Sequence, residues 1–470
     1  MSVEIMPPLM FAGLVVFLLM GFPVAFSLCA VGLGFGLFFI ELGFFTPAYL
    51  GNLPPRVFGI LSNDLLLAIP FFTLMGAILE RCGLAEELLE STAQLFGKIP
   101  GGLAFAVVLV GALLGAVTGT VAASVLAMGV IALPIMLRYG YDQRLATGVV
   151  AASGTITQLI PPSLVLIVLS DQLGRSVGDM YAGAIGPALL QILLFLAFVA
   201  GVAIVAPHRV PALPPEALMA RGWPLYLRVL RGMVPPLLLL FLVLGTILMG
   251  LATPTEAGAM GTAGAVALAI LNGRFSWKLL REAMGNAMRI TAMVIYILIG
   301  ATVFSLVFQG VDGSHWVEGL LANLPGGQIG FLLFVNAFIF VLGFFLDFFE
   351  IAFIVVPLLA PVATKLDIDL VWFGVLLCIN LQSSFMTPPF GFALFYIRSI
   401  APKFVSTQAI YRGAIPWICL QLLLVAIVMI WPEAVTFLIQ GGTGVDPASV
   451  TIDVPPPAPP SDDDAMPIFR

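Results

Sequence analysis

Long apolar runs separated by short polar or Gly/Pro-rich segments occupy most of the chain. Runs of about 20 apolar residues predict membrane-spanning helices, because a helix of that length crosses the hydrocarbon layer of a bilayer. Two runs, at about 103–137 and about 330–363, are too long for one span. Each is predicted to form a re-entrant hairpin of two half-length helices, with its tip near Thr118-Gly119-Thr120 or near Asp347.

Two other apolar runs, at about 148–170 and about 371–396, are interrupted by polar residues and paired prolines. Pro161-Pro162 and Pro388-Pro389 remove backbone donors and disfavour helix at the preceding residue. Broken backbone at membrane depth is tolerated only where protein or a water-filled cavity surrounds it. Each run therefore predicts a discontinuous helix whose break forms part of a binding site.

The two halves of the chain carry the same landmarks in the same order. The matching positions, at offsets of 223 to 227 residues, are Gly76 and Gly300, Pro100 and Pro325, Pro134 and Pro357, Asp142 and Asp369, and Pro161 and Pro388. Repeated halves with helices broken at matching places are typical of inverted-repeat secondary transporters, whose sites lie near the membrane midplane. The predicted fold class is an all-α polytopic membrane protein with two inverted repeats, two re-entrant hairpins and two discontinuous helices.

The repeat divides the chain into four parts. Residues 1–206 form the first repeat, 207–232 a basic linker, 233–440 the second repeat, and 441–470 a Pro- and Asp-rich tail that is predicted to be disordered. The linker and a second basic patch at 274–289 flank two predicted spans, so both lie on one side, and their Arg and Lys residues indicate the cytoplasm. An inverted first half then predicts a periplasmic N-terminus.

Composition narrows the function classes. Hydrophobic residues make up 61% of the chain and charged residues only 9%, against roughly a quarter in soluble proteins. The net charge of −6 argues against a nucleic-acid partner. The two histidines are far apart, the four cysteines have no C-x-x-C spacing, and no H-E-x-x-H or cofactor-binding loop is present. The chain is therefore not expected to be an enzyme.

Five motifs together resemble the large membrane subunit of tripartite ATP-independent periplasmic (TRAP) transporters, the DctM-like proteins. They are Ile69-Pro70-Phe71-Phe72, Ile160-Pro161-Pro162-Ser163, Thr253-Pro254-Thr255-Glu256-Ala257, Leu346-Asp347 and Thr387-Pro388-Pro389-Phe390-Gly391, and the resemblance covers about residues 5–440. It implies a sodium-driven importer of the bacterial inner membrane with an elevator-type transport domain. It also implies two partners, a small four-helix membrane subunit and a soluble periplasmic solute-binding protein. The stretch 344–396 is most similar to the branch associated with mannitol/chloroaromatic and 2-oxo acid systems.

The half-helices that follow the two breaks are the predicted substrate site. A helix N-terminus offers free N–H donors and partial positive charge, so it can hold a carboxylate without an arginine. The predicted substrate-binding residues are Thr157, Gln158, Pro162 and Ser163 in the first break and Ser383, Ser384, Pro389, Phe390 and Gly391 in the second. The alternative is that their polar groups only satisfy backbone freed by the prolines.

Na⁺, the coupling ion that the resemblance implies, is a hard cation that prefers oxygen ligands such as unwound carbonyls and Ser, Thr or Asn side chains. One site is predicted among Thr118, Gly119, Thr120, Ser153 and Thr155, and a second among Asp347, Asn380, Gln382 and Thr387. Asp347 could ligate sodium or cap the hairpin tip. Glu350, three residues later, could sense protons, pair with a substrate-side group or face water.

Together with what the resemblance implies, these patterns predict sodium-coupled uptake of a small organic anion, such as a carboxylate, across the lipid bilayer, with delivery by a binding protein. The nearest alternative is a binding-protein-independent symporter of similar architecture. A channel is a further alternative, although two hairpins that meet in mid-membrane suit alternating access better than a continuous pore.

Overall fold

The computed structural model describes residues 5–214, 216, 223–388 and 390–439, and all the regular structure within these ranges is helical. Six of the helices are long and apolar enough to cross a membrane, and three bent helix pairs raise the number to nine if each pair is one span. The predicted fold class is confirmed as an all-α polytopic membrane protein. The predicted tail, 441–470, lies outside the described residues.

The described part of the first half contains ten α-helices. They are α1 (Met6–Leu19), α2 (Val24–Glu41), α3 (Leu53–Leu61), α4 (Asp64–Arg81), α5 (Leu84–Phe96), α6 (Gly102–Thr118), α7 (Val121–Arg138), α8 (Gln143–Thr155), α9 (Leu164–Leu173) and α10 (Val177–Val205). A 3₁₀ turn at Ile156–Gln158 follows α8. The first predicted hairpin corresponds to α6 and α7, and the first discontinuous helix to α8 and α9.

Eleven α-helices lie in the second half within the described ranges. They are α11 (Trp223–Leu248), α12 (Pro254–Leu271), α13 (Trp277–Gly310), α14 (Gly313–Ala322), α15 (Gly327–Leu342), α16 (Phe348–Ile354), α17 (Val356–Lys365), α18 (Leu370–Phe385), α19 (Phe392–Ile400), α20 (Thr407–Ile430) and α21 (Glu433–Thr436). The second hairpin comprises α15 and the pair α16–α17, which bends by 52°. The second discontinuous helix comprises α18 and α19.

A hydrogen bond between residues 38 positions apart closes the base of each hairpin. The backbone N–H of Leu103 donates to the Oη of Tyr141 at 3.2 Å. In the second half, Nε2 of Gln328 donates to the carbonyl oxygen of Leu366 at 2.5 Å. Both members of the second pair lie 225 positions after those of the first, so the two hairpins are closed at equivalent places.

The arms of the first hairpin fold back on either side of α8. A Cβ on Gly111 of α6 would lie 2.5 Å from the Cβ of Ser153, and a Cβ on Gly154 would lie 2.9 Å from the Cα of Val125 of α7. Residues 111 and 125 would be about 21 Å apart along a continuous helix. Their contacts with consecutive residues of α8 therefore require a sharp reversal at the Gly119-Thr120 break.

An aspartate begins the first segment of each discontinuous helix. Oδ1 of Asp142 accepts hydrogen bonds from the backbone N–H groups of Arg144 and Leu145 at the start of α8. Oδ1 of Asp369 accepts one from the N–H of Trp372, at 2.7 Å, at the start of α18. These N-caps satisfy donors that a helix end leaves without partners, and they fix where the two helices begin.

A second group of helices packs through close glycine contacts away from the breaks. α2 lies against α13, where Gly32 approaches the backbone of Phe304, and α4 lies against α12, where Gly258 approaches Phe71. The hydroxyl of Thr262 also donates to the carbonyl oxygen of Phe71 at 2.8 Å. We call α2, α4, α12 and α13 the frame helices.

The predicted linker, 207–232, is shorter than expected. Helix α11 begins at Trp223, inside the segment that was assigned to the linker. Leu225 and Val229 are buried, whereas Arg231 is exposed. An apolar stripe of this spacing anchors the first turns of α11 to the protein, and Arg231 lies on the opposite face.

Replacing Tyr141 by Phe tests the hairpin base. The change leaves the buried N–H of Leu103 without its acceptor, so the free energy of unfolding should fall by about 1–3 kcal/mol. Denaturant titration of the purified protein in detergent micelles would measure the loss. Tyr139→Phe removes a hydroxyl two residues away that has no such bond and should be near neutral. Equal effects of the two changes would contradict the assigned role of Tyr141.

Candidate substrate and ion site at the hairpin tips and helix breaks

A cavity of about 580 Å³ lies between the tips of the two hairpins, and we call it the tip cavity. Gly119 and Thr120 of the first tip and Asp347 of the second tip line it, together with Gln158 of the first break. Further lining residues are Glu80 and Arg81 of α4, Val121, Ala122 and Ala123 of α7, Val165 of α9, Asn286 of α13, Phe385 of α18, and Phe392 and Tyr396 of α19. The cavity thus joins both repeats to the frame helices.

The N-terminus of α7 faces the tip cavity with free backbone donors. Thr120 is the N-cap residue of α7, and its side chain makes no capping hydrogen bond. The first three residues of the helix, Val121 to Ala123, all line the cavity. The first N–H groups of a helix lack partners within the helix and carry partial positive charge, so this end can bind an anionic group.

The second tip has the opposite character, because a carboxylate caps it. Oδ1 of Asp347 accepts from the N–H of Glu350 at 2.9 Å, and Oε2 of Glu350 accepts from the N–H of Asp347 at 2.9 Å. This reciprocal arrangement is a capping box at the start of α16. Of the two roles that the sequence left open for Asp347, the cap is the one that the structure contains, and the residue also lines the cavity.

The first break is held by hydroxyl groups that donate to nearby carbonyl oxygens. Thr155 donates to the carbonyl of Ala152 at 2.9 Å, and Thr157 donates to that of Gly154. Ser163 caps α9: its Oγ accepts from the N–H of Val165 and donates to the carbonyl of Gln158. A hydroxyl that donates in this way gives a backbone carbonyl oxygen a hydrogen-bond partner. Its own oxygen still has a lone pair that can coordinate a cation.

The second break repeats this pattern. Ser383 donates to the carbonyl of Asn380 at 2.6 Å, Ser384 to that of Leu381 at 2.8 Å, and Thr387 to that of Ser383 at 2.7 Å. The side chains of Asn380, Ser383 and Ser384 are buried. The alternative reading of these polar residues, that they satisfy freed backbone, therefore describes part of what they do.

One arm of each hairpin packs along its break at equivalent positions. Gly111 and Gly115 of α6 lie against Ser153 and Thr157. In the second half, Nδ2 of Asn380 donates to the carbonyl oxygen of Asn336 of α15 at 2.7 Å. A Cβ on Gly343, just after α15, would lie 2.1 Å from the Oγ of Ser384. Ser153 and Thr157 precede Asn380 and Ser384 by 227 positions, so each arm contacts the same two positions of its break.

The predicted substrate residues are only partly gathered at the cavity. Gln158 lines it, and the half-helices α9 and α19 reach it through Val165 and Phe392. Thr157, Pro162, Ser163, Ser383 and Ser384 are buried outside its lining, Gly391 is the N-cap residue of α19, and Phe390 is exposed with its ring 5.2 Å from that of Phe345. Pro389 lies outside the described residues.

The two predicted sodium sets are not gathered as expected. Gly119 and Thr120 lie at the first tip, but Ser153 lies beside Gly111, which is about 12 Å down the arm. Thr155 bonds to Gln421, and Gln382 bonds to Gln191 instead of approaching Asp347. Asn380 faces Asn336, and Thr387 bonds within its own turn. The side chain of Thr118 is not described. The sets are split because each hairpin arm runs alongside its break.

Two buried glutamines bind the break of the opposite half. Nε2 of Gln191, on α10 of the first half, donates to Oε1 of Gln382 at 2.7 Å. Nε2 of Gln421, on α20 of the second half, donates to Oγ1 of Thr155 at 3.0 Å. Thr155 and Gln382 are equivalent positions, 227 residues apart, so the two bonds form a symmetric pair that we call the glutamine clasps.

Buried oxygen atoms without hydrogen-bond partners cluster around both breaks. Among the described residues they include Oγ of Ser153 and the side-chain carbonyl oxygens of Gln158, Gln191, Asn336 and Gln421. Buried polar atoms without a partner are rare in folded proteins. Neutral oxygens are the donor type that a hard monovalent cation accepts, so the residues present fit the implied sodium ion.

Several residues at this site were not expected from the sequence. Arg81 and Asn286 reach the tip cavity from frame helices that lie far from the breaks in the chain. Gln191 and Gln421 stand alone in apolar helices, yet their positions differ by 230 residues, close to the repeat offset. This spacing is the feature of the sequence from which the glutamine clasps could have been predicted.

Comparison with known proteins decides the family. A sequence model of the family described as "Tripartite ATP-independent periplasmic transporter, DctM component" matches residues 11–434. The chain belongs to this family. It is 32% identical over 393 residues to the C4-dicarboxylate TRAP transporter large permease protein DctM of Pseudomonas aeruginosa, covering 83% of this chain and 89% of that protein. The predicted resemblance is confirmed, whereas the assignment to one branch stays a prediction.

Two further similarities concern a more distant relative and the fold. The chain is 27% identical over 378 residues to the sialic acid TRAP transporter permease protein SiaT of Haemophilus influenzae, covering 79% of this chain and 59% of that protein. The crystal structure of the Alcanivorax borkumensis YdaH transporter, described as having an unusual topology, aligns with a TM-score of 0.56 at 16% identity. That alignment covers 83% of this chain and 89% of the other.

Membership of the family has direct consequences. The chain is a large permease component of a tripartite importer, so it works with a small membrane subunit and a periplasmic binding protein. Its relatives are named as transporter permeases, which confirms the prediction that it is not an enzyme. With its several apolar helices it is a multi-pass protein of the inner membrane.

A double-mutant cycle tests the first glutamine clasp. Gln191→Leu or Gln382→Leu alone leaves a buried carboxamide unpaired and should lower the free energy of unfolding by about 1–3 kcal/mol. The double variant should cost clearly less than the sum, with a coupling of about 1 kcal/mol. Denaturant titration in micelles measures all four proteins. The mismatched pair Gln191→Leu with Thr155→Val, which no hydrogen bond joins, should be additive. If the effects of Gln191→Leu and Gln382→Leu on the free energy of unfolding were additive, the hydrogen bond between the two side chains would be refuted.

Proposed function

We propose that this chain is the permease subunit of a sodium-coupled importer of small organic anions, which acts by elevator-type alternating access. The observation that carries the proposal is the packing, in each half, of a hairpin arm along a helix break, with buried oxygens that lack partners at both places. Both tips line one cavity. Secondary transporters with repeated halves bind substrate and ions at such junctions.

A carboxylate is the substrate group that the cavity suits. The uncapped start of α7 presents backbone donors to it, and the first turns of α9 and α19 also reach it through Val165 and Phe392. Phe385 and Tyr396 provide apolar surface for the remainder of the molecule. The two named relatives act on C4-dicarboxylates and sialic acid, which are carboxylates as well. We extend the proposal to 2-oxo acids on the resemblance alone.

Sodium is the proposed coupling ion, and its binding would supply positive charge that offsets the substrate anion. The residues that would hold it carry the unpaired oxygens, Ser153 in the first half and Asn336 beside Asn380 in the second. The hydroxyls of Thr155, Ser383 and Ser384 could turn toward an ion, since their acceptors are carbonyl oxygens within three residues and, for Thr155, also the sulfur atom of Met386.

Elevator movement is supported by the grouping of the helices. The breaks, the hairpins and the glutamine clasps form one interlocked group, in which α20 packs on α8 and α18. The frame helices pack mainly on one another, with α2 against α13 and α4 against α12. We propose that the first group moves relative to the frame, that the frame contacts the small four-helix subunit, and that the N-terminus is periplasmic.

Uptake by proteoliposomes tests this function. The permease, with its small subunit, is reconstituted, and the binding protein is purified with the ligand that mass spectrometry identifies on it. Uptake of that ligand should require both the binding protein and an inward sodium gradient. Uptake without the binding protein would favour the independent symporter, and flux that ignores sodium and never exceeds the concentration gradient would favour a channel.

Removing two hydroxyls tests the second break. Ser383→Ala with Ser384→Ala should raise the sodium concentration needed for half-maximal uptake roughly tenfold, because one or two oxygen contacts of about 1 kcal/mol each are lost. The sodium dependence of uptake is the measurement, with folding checked by size-exclusion chromatography. Ser399→Ala removes a hydroxyl that donates in the same way, to the carbonyl of Tyr396, on the exposed part of α19. Unchanged sodium dependence in the double variant would show that these hydroxyls serve the backbone alone.

A further inference from the structure

A second cavity, of about 490 Å³, adjoins the tip cavity, and we call it the vestibule. Arg81 and Asn286 line both cavities, so the two spaces meet at these residues. The remaining lining residues belong to the first part of α13 and are Lys278, Arg281, Glu282, Gly285 and Arg289. None of them formed part of the predicted substrate or sodium sets.

The lining residues lie on one face of α13. Positions 278, 281, 282, 285 and 289 follow the three- and four-residue spacing of a helix face. Helix α13 has 34 residues and is about 50 Å long, well beyond the roughly 30 Å of a hydrocarbon layer. Its first turns can therefore extend into the aqueous phase, and Lys278, Arg281 and Arg289 are exposed to solvent.

The vestibule carries a surplus of positive charge. Glu282 is paired with Arg81, so these two charges offset each other. Lys278, Arg281 and Arg289 have no ion-pair partner among the residues that the structure describes, whereas the neighbouring Arg274 is paired with Glu87. The carboxylates of the adjoining tip cavity are Glu80 and Asp347, and neither lines the vestibule.

Cytoplasmic loops of membrane proteins are generally basic, so basic residues here are not unusual by themselves. The location of these basic residues, however, is not typical of a loop. Three unpaired cations line a single concave space that continues into the cavity between the hairpin tips. A cleft lined by charges of one sign concentrates counter-ions, and the field extends about 8 Å at physiological ionic strength.

We propose that the vestibule is an anion subsite that holds the carboxylate of a small organic acid on its path between the tip cavity and the surrounding solution. The carboxylate substrate and its path rest on the proposed function, whereas the surplus of positive charge in the vestibule does not. Asn286 and Arg81 stand at the junction, where a carboxylate that leaves the α7 N-terminus would next meet hydrogen-bond donors. Lys278, Arg281 and Arg289 then supply the positive charge that favours its transfer from the tip cavity to the surrounding solution.

A single reporter thiol at the junction tests the charge directly. Cys29 and Cys419, the cysteines that are not buried, are replaced by Ala, and Asn286→Cys is introduced in the full chain. The rates of reaction with sulfonatoethyl and trimethylammonioethyl methanethiosulfonate are compared, each relative to a free thiol. The anionic reagent should be favoured by about tenfold, since several cations lie within a Debye length.

Neutralising the vestibule should abolish this preference. Lys278→Gln, Arg281→Gln and Arg289→Gln together should bring the ratio to within about twofold of the free thiol. The matched control, Lys98→Gln with Arg209→Gln and Arg231→Gln, removes the same charge from exposed residues that do not line the vestibule and should leave the preference intact. The proposal is overturned if the thiol at residue 286 shows no preference for the anionic reagent while the three cations are present. It is also overturned if their neutralisation leaves the preference unchanged.

Binding is tested by protection of the same thiol. Succinate or citrate at millimolar concentration should slow labelling at residue 286 severalfold, the uncharged erythritol should not, and the neutralised variant should lose the protection. The protein in neutral-lipid nanodiscs is compared with protein in nanodiscs that contain phosphatidylglycerol. Protection by the anionic lipid alone would assign the vestibule to a lipid headgroup and overturn the carboxylate proposal. Neither measurement requires transport, so a failure of sodium-coupled uptake would leave this result standing.

Discussion

A backbone that leaves its helix inside a membrane must find hydrogen-bond partners within the protein, because the hydrocarbon offers none. This constraint acts twice here, where α8 and α18 end in the interior. Local hydroxyls such as Thr157 and Ser384 donate to part of the freed backbone, and a hairpin arm contacts each break at the same two positions. The close approach of these arms is what glycine at 111, 115 and 343 permits.

The glutamine clasps extend the same constraint across the two halves. Each break receives one carboxamide donor from the long helix of the other half, Gln191 to Gln382 and Gln421 to Thr155. Neither break is complete without the other repeat, so the hairpins and broken helices form one cooperative unit. In the proposed elevator mechanism, this unit would move as a single body relative to the frame helices.

The cavity between the tips is lined by a partial positive charge at one hairpin tip and by a carboxylate at the other. The start of α7 is uncapped and attracts anions, whereas Asp347 caps the start of α16 with a carboxylate. An organic anion and a small cation could therefore be accommodated near each other without a buried lysine or arginine. The basic vestibule beside Arg81 adds positive charge where solvent reaches the protein, and charged side chains are less costly there than at membrane depth.

Much of this architecture could be predicted from the sequence, because its determinants are local. Apolar run lengths located the hairpins, paired prolines located the breaks, and one repeated offset matched Asp142 to Asp369, which the structure shows to be helix caps. What could not be predicted depends on which side of each helix faces which neighbour. Gln382 and Ser384 are two residues apart, yet one turns to α10 and the other to the hairpin. Arg81 and Asn286 join the site only because α4 and α13 pack beside the tips, and contacts between distant segments leave no local pattern in a chain.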